Sequence, residues 1–128
     1  MKAYDLRDMP CLAEIDFDLL VEKADMTSTF QRLPLYPPID RDIAIVVDEG
    51  VTWTEVESCV REAGAKFLEK VEFFDLYRGK QVPPGKKGIA FRVHFRAPDR
   101  TLTGEEADGA RGVIVDGLAK RLGAVVRQ

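Results

Sequence analysis

Histidine is almost missing from this 128-residue chain, which has 1 His, 2 Cys and 1 Trp, and no apolar run in it is long. A single histidine, His94, cannot build a metal site alone, and Cys11 and Cys59 match no metal-ligand spacing. The two cysteines are expected to be small buried or half-buried residues of a reducing compartment rather than a disulfide. A bilayer span needs roughly 18 consecutive apolar residues, and the N-terminus carries acids where a signal peptide carries basic residues. The expectation is a cytoplasmic protein with no membrane partner. Also missing are a P-loop, a G-x-S-x-G elbow and any nucleophile paired with a base. Glu55, Glu57, Glu62, Glu105 and Asp108 fall on expected helix surfaces, where solvation and the helix dipole account for them. No catalytic residue and no metal ligand is assigned.

Acids are scarce in one window. From Tyr77 to Arg100 the basic residues Arg78, Lys80, Lys86, Lys87, Arg92, Arg96 and Arg100 meet the single acid Asp99, while the whole chain stands at −3. A cationic patch on an acidic molecule implies a specific polyanionic partner rather than general adhesion to phosphate backbones. Charge also marks a boundary, because Lys2, Arg7 and Lys23 are outnumbered by Asp5, Asp8, Glu14, Asp16, Asp18, Glu22 and Asp25 in residues 1–29. After them runs MTSTFQRLPLYPP, where Pro34, Pro37 and Pro38 hold the backbone extended and exclude a helix. Residues 1–29 therefore read as the tail of a preceding module plus linker, and 30–128 as one domain long enough to bury a core.

The tail is expected to hold one short strand near Cys11 to Phe17 and one short helix from Asp18 to Ala24 with an aspartate as its cap. Beyond the linker the pattern is regular. DIAIVVD, from Arg41 onward, reads as a largely buried strand. Thr52 and Glu55 then form a capping-box pair opening a helix to about Ala63, with an apolar stripe of Val56, Cys59, Val60 and Ala63. Strands follow over Leu68–Tyr77 and Gly88–Phe95, joined by the proline-rich turn QVPPGKK. Thr103 and Glu106 repeat the capping box for a helix striped by Ala107, Ala110, Ile114, Gly117, Leu118 and Leu122, stopped by Gly123 before a last strand in AVVR. Strand, helix, strand, strand, helix, strand is the order of an α+β ferredoxin-like βαββαβ sandwich. Right-handed crossovers would place two helices on one face of a four-stranded antiparallel sheet.

The other face would be open. On the strand Gly88–Phe95, residues Ile89, Phe91, Val93 and Phe95 alternate with Gly88, Ala90, Arg92, His94 and Arg96, and the second set would face solvent. With Phe74 and Leu76 assigned to the core, Phe73, Asp75 and Tyr77 would join that face. Aromatic rings beside arginines on an open sheet suit unpaired RNA bases, which stack on rings, and phosphates, which pair with guanidinium. The competing readings are structural. Phe73 and Tyr77 could pack against the N-terminal segment, the arginines could be a solvated face that resists aggregation, His94 could be an exposed polar residue with no acidic partner, and Trp53 a packing residue.

Four segments, YPPIDRDIAIVVDE, FFDLYRGKQVPPGKKGIAFRVHF, DRTLTGEEADG and LGAVVR, in that order, resemble the C-terminal ferredoxin-fold anticodon-binding domain of bacterial phenylalanyl-tRNA synthetase beta subunits, over Phe30 to Gln128. AEIDFDLLVEKA in residues 1–29 is similar to the end of the catalytic-like module that precedes this domain. The resemblance implies a binding module without catalysis of its own, and no cofactor within it. The implied partners are the anticodon stem-loop of tRNA(Phe) and an alpha subunit, which in a heterotetramer performs aminoacylation with ATP and Mg2+. Tyr77 falls on the tyrosine of the family's FDxYxG motif, implicated in stacking on the wobble guanine, and Gly88 stands where a serine is usual, so a hydroxyl donor is lost. Arg78, Lys86, Lys87 and Arg92 are the phosphate-contact candidates, with His94 and Arg96 on the same strand. Arg41 and Asp42 match the family's RD pair, in either a structural or an RNA role. The alternatives from other classes are a small-molecule-sensing ferredoxin-like regulatory domain and a structural docking domain.

Overall fold

A computed structural model of the protein describes residues 10–27, 30, 33–79 and 82–127. The chain divides into two units, Met1–Arg32 and Leu33–Gln128.

The first unit contributes one helix, α1 (Phe17–Lys23), capped by Asp16, whose carboxylate accepts from the Leu19 N–H at 3.1 Å. The expected strand from Cys11 to Phe17 is not formed: residues 10–16 carry no strand. A strand exists only by pairing, and alternation without a partner strand leaves the segment irregular. Cys11 is exposed rather than buried.

The second unit runs β1 (Ile39–Asp48), α2 (Trp53–Glu62), β2 (Leu68–Tyr77), β3 (Lys86–Phe95), α3 (Gly104–Leu122) and β4 (Val125–Arg127). The sheet order is β2-β3-β1-β4 with every neighbouring pair antiparallel, the ferredoxin-like arrangement read from the sequence. Both capping boxes form. Thr52 and Thr103 accept from the Glu55 and Glu106 N–H groups, and each glutamate reaches back to the cap's own N–H. Gly123 ends α3 in the left-handed conformation, with φ of 60°. In the β2–β3 connection the Lys86 N–H donates to the Pro83 carbonyl at 3.1 Å, and Gly85, with φ of 78°, takes the turn position that a side chain disfavours.

One sheet face is sealed. Ile43, Ile45 and Val47 of β1 and Ile89, Phe91, Val93 and Phe95 of β3 pack with Val56, Cys59 and Val60 of α2 and Ala107, Ala110, Ile114 and Leu118 of α3. Burial raises the Cys59 thiol pKa. Gly117 lets the helices approach, since a Cβ there would lie 3.1 Å from the Ala63 methyl. Arg41 turns away from the sheet to bind Asp108 at 2.7 Å and the Gly104 carbonyl at 3.3 Å, docking the start of α3, so this half of the RD pair is structural here. Among the described residues no helix is long and apolar enough to cross a membrane.

Candidate nucleic-acid interface

Cross-strand register sorts the uncovered face into rows. At one end Tyr77, Gly88, Val46 and Val125 lie side by side, and the next row is Asp75, Ala90, Ala44 and Arg127. Further along come Glu72, Arg92 and Asp42, then Lys70, His94 and Asp40. The expected phase of β2 is wrong in one place. Phe73 pairs with the core residue Phe91, Asp75 pairs with the next residue Ala90, and the Phe73/Asp75 register shift leaves Phe74 as the extra residue. Phe73 therefore belongs to the helix side, where Trp53 stacks tilted between it and Phe91 at 5.3 and 5.6 Å. Phe74 lines a depression of about 500 Å³ together with Phe73, Asp42, Glu72 and Arg92. Asp75 and Tyr77 keep their expected side because the shift restores the alternation.

The first two rows make a shelf. Its floor is Ala44, Val46, Gly88 and Ala90, with Asp75 and Tyr77 on the β2 side and Arg127 on the β4 side, enclosing about 410 Å³. Three strand spacings give it a width of about 14 Å. The low floor comes from small residues stacked in register, so a planar group can lie flat against the sheet. Tyr77 is 41 % exposed. Its ring folds over Gly79, where a Cβ would meet the phenol hydroxyl and stand 2.7 Å from Cζ, so the glycine of FDxYxG makes room for the tyrosine. A ring to stack on, a carboxylate to accept N–H groups and a guanidinium to donate surround one small-residue floor.

The rest of the face is not the cationic surface counted along the sequence. Arg92 donates to both oxygens of Asp42, at 2.6 and 3.0 Å. His94, only 17 % exposed in its side chain, has Nδ1 2.7 Å from Asp40 and Nε2 3.0 Å from Glu72, so the expectation that it lacks an acidic partner is corrected. Lys70 also bonds Glu72. Arg96 is held by Glu69 at 2.9 Å and by the Tyr36 carbonyl. Arg78 pairs with Glu49 at 2.6 Å, and Lys86 with Asp48 at 2.7 Å. Hydrogen bonds from Arg92, from Arg78 and from Lys70 with His94 hold Asp42, Glu49 and Glu72, respectively, below the usual carboxylate range. A charge count along one strand omits the acids that β1 and β2 lay beside it.

Lys87 is only 7 % exposed. Odd-numbered β3 residues face the helices, so its ammonium reaches the Glu49 carbonyl at 2.8 Å instead of the open face. Glu49 also donates its N–H to the Gly85 carbonyl at 2.9 Å. Of the sequence candidates, Tyr77 and Gly88 share the shelf, Arg78 and Lys86 stand at its end, Arg92, His94 and Arg96 occupy the charged rows, and Lys87 is set apart. Lys80 lies outside the described residues. Sequence reasoning placed Asp75 on the open face without making it a site residue and missed Ala44, Val46 and Arg127 as shelf residues, although the alternation of small residues in β1 and β3 carried a signal for the floor.

A four-stranded antiparallel sheet with helices on one side and a shelf on its bare side defines a ferredoxin-like binding module. Within that class the chain belongs to the ferredoxin-fold anticodon binding domain family, whose model matches residues 34–127. It is similar to the phenylalanine–tRNA ligase beta subunit of Clostridium tetani, 40 % identical over 124 residues that are 97 % of this chain and 16 % of that protein. It is also similar to the beta subunit of Thermobifida fusca, 41 % identical over 127 residues, 99 % of this chain and 15 % of that one. Against the beta subunit of Corynebacterium efficiens the identity is 43 % over 117 residues, 91 % of this chain and 14 % of that one. The chain thus spans about one-sixth of the length of these relatives.

Proposed function

We propose that the shelf receives the anticodon loop of tRNA(Phe), as the recognition end of a phenylalanine–tRNA ligase beta subunit. The observation that carries the reading is an exposed Tyr77 ring bordering a floor of small residues on the uncovered face of an anticodon-binding domain. A base stacked on such a ring gains about 1–3 kcal/mol. Arg78 and Lys86, at the same end of the sheet, are the residues that a docked loop would bring its phosphates toward. Lys87, turned to the core side, is left out of the interface.

Residues 1–29 are proposed as the end of the preceding catalytic-like module with its linker, and 30–128 as the anticodon-binding domain, working in the cytoplasm. Aminoacylation, the alpha subunit of a heterotetramer, ATP and Mg2+ belong in this reading to the rest of the parent enzyme, and the fragment alone is not an enzyme. The face does not suit Mg2+, because Asp40, Asp42, Glu69 and Glu72 each already meet a cationic or imidazole nitrogen. The family match leaves a small-molecule sensor without support.

The test is a titration of the protein and its Tyr77→Ala and Tyr77→Phe variants with a phenylalanine anticodon hairpin and a hairpin lacking the stacked base. Tyr77→Ala should weaken the first by about 1–3 kcal/mol and spare the second, while Tyr77→Phe retains most of the affinity. Equal losses on both hairpins would remove the stacking role.

A further inference from the structure

We propose that the carboxylates Asp42 and Glu72 are specificity residues: they keep the arginine-bearing rows from gripping any phosphate backbone and confine RNA contact to the shelf end of the sheet. The inference rests on reading the open face as an RNA surface.

The geometry carries the argument. Arg92 sits between Glu72 on β2 and Asp42 on β1, and its guanidinium fork is already closed by two donated hydrogen bonds to Asp42. A phosphate would present the same bidentate acceptor pair, so Asp42 occupies the position a phosphate oxygen pair would take. Glu72 is held by Lys70 on one side and the His94 ring on the other. In these rows and the adjoining one, three cations, Lys70, Arg92 and Arg96, meet four carboxylates, Asp40, Asp42, Glu69 and Glu72. A phosphate that meets an already neutralised guanidinium is not itself neutralised. It releases few counterions, and the main driving force of sequence-independent binding is lost. The shelf instead offers stacking and base-edge contacts, which a phosphate backbone cannot use. Once a loop is seated there, its phosphates are delivered to Arg78 and Lys86 at high effective concentration and can exchange with Glu49 and Asp48.

Asp42→Asn keeps an oxygen that accepts from Arg92 but removes the charge. With poly(U) as the probe at low salt, Asp42→Asn and Asp42→Asn/Glu72→Gln should bind about 3- to 10-fold more tightly than the parent protein. The log–log salt slope should steepen by about 0.7 for each phosphate newly neutralised. Heparin retention should rise in step. Adding Arg92→Gln to Asp42→Asn should return poly(U) binding to the parent level, since the gain belongs to the released guanidinium. Asp116→Asn on α3 makes the same change in net charge away from the sheet and should leave poly(U) binding near the parent value.

An unchanged poly(U) affinity in Asp42→Asn, a gain matched by Asp116→Asn, or a gain that survives Arg92→Gln would each overturn the inference. Thermal melts of each variant separate loss of folding from loss of charge. The hairpin titration reports separately on the shelf: should the parent protein fail to prefer the phenylalanine hairpin over poly(U), the anticodon reading fails, whereas the poly(U) and heparin series still decides the role of the acids.

Discussion

Replacing Gly88 with serine adds a side chain to the floor of the shelf. A Cβ built on Gly88 lies 3.6 Å from the Tyr77 carbonyl oxygen, 3.7 Å from the Tyr77 Cβ and 3.9 Å from the Ile45 carbonyl oxygen, all ordinary contacts. Gly88 is also absent from the glycines with positive φ, so no backbone strain opposes the change. Glycine inside a strand costs roughly 0.5–1 kcal/mol in conformational entropy relative to a residue with a side chain. Gly88→Ser should therefore raise the unfolding free energy by about that amount, read as a higher urea midpoint at constant m-value. The new Cβ stands beside the Tyr77 Cβ on the shelf floor, and one neutral hydrogen bond from its hydroxyl to a docked base would add about 0.5–1.5 kcal/mol. Affinity for the anticodon hairpin should rise roughly 2- to 13-fold by fluorescence anisotropy, with no change for poly(U). A loss of stability beyond about 1 kcal/mol would refute the Tyr77–Gly88 register. A stable variant with weaker hairpin binding would refute the placement of the base.

Gly117→Ala gains helix propensity of about 1 kcal/mol but brings two methyl groups to 3.1 Å at Ala63. Combining it with Ala63→Gly should relieve the overlap, giving a coupling of about 0.5–3 kcal/mol in a chemical-denaturation cycle; strict additivity would disprove the close helix approach. Acid should destabilise the domain. The Glu106 carboxyl is lowered to about 2, first by its hydrogen bond from Arg100 and then by the Thr103 backbone N–H. A depressed carboxylate contributes stability that is complete above its unfolded pKa and lost as pH falls toward the folded one. The difference in melting temperature between the parent protein and Glu106→Gln, present near pH 6, should therefore shrink toward zero near pH 2, and a difference independent of pH would contradict the pairing.

Local signals carried the fold well where they were redundant. Thr52 with Glu55 and Thr103 with Glu106 named two helix starts, and the alternation from Ile89 to Phe95 named a half-covered strand. Tyr77 and Gly88 were legible as sharing the open face, and the register makes them direct neighbours. Phe73 was misplaced because a bulge inserts one residue without changing composition, so periodicity stays plausible on both sides of it. The electrostatics failed for a different reason. Asp40 and Asp42 are some fifty residues from His94 and Arg92 in sequence but directly opposite them in the sheet. Lys87 was lost to the same geometry, since alternation within Lys86–Lys87 sends adjacent ammonium groups to opposite layers. The strand expected at Cys11 to Phe17 had the residues for extension but no neighbour to bond to.

Glu49 joins three pieces of chain at one corner. Its backbone binds the Gly85 turn and the Lys87 ammonium, while its carboxylate holds Arg78 just past β2. The hairpin tip and the lead into α2 are thereby stitched into a single rim, whose freedom is lost when the chain folds rather than when a ligand arrives. A visitor to that end of the sheet meets a lip whose turn, β3 start and β2 end are already tied to Glu49.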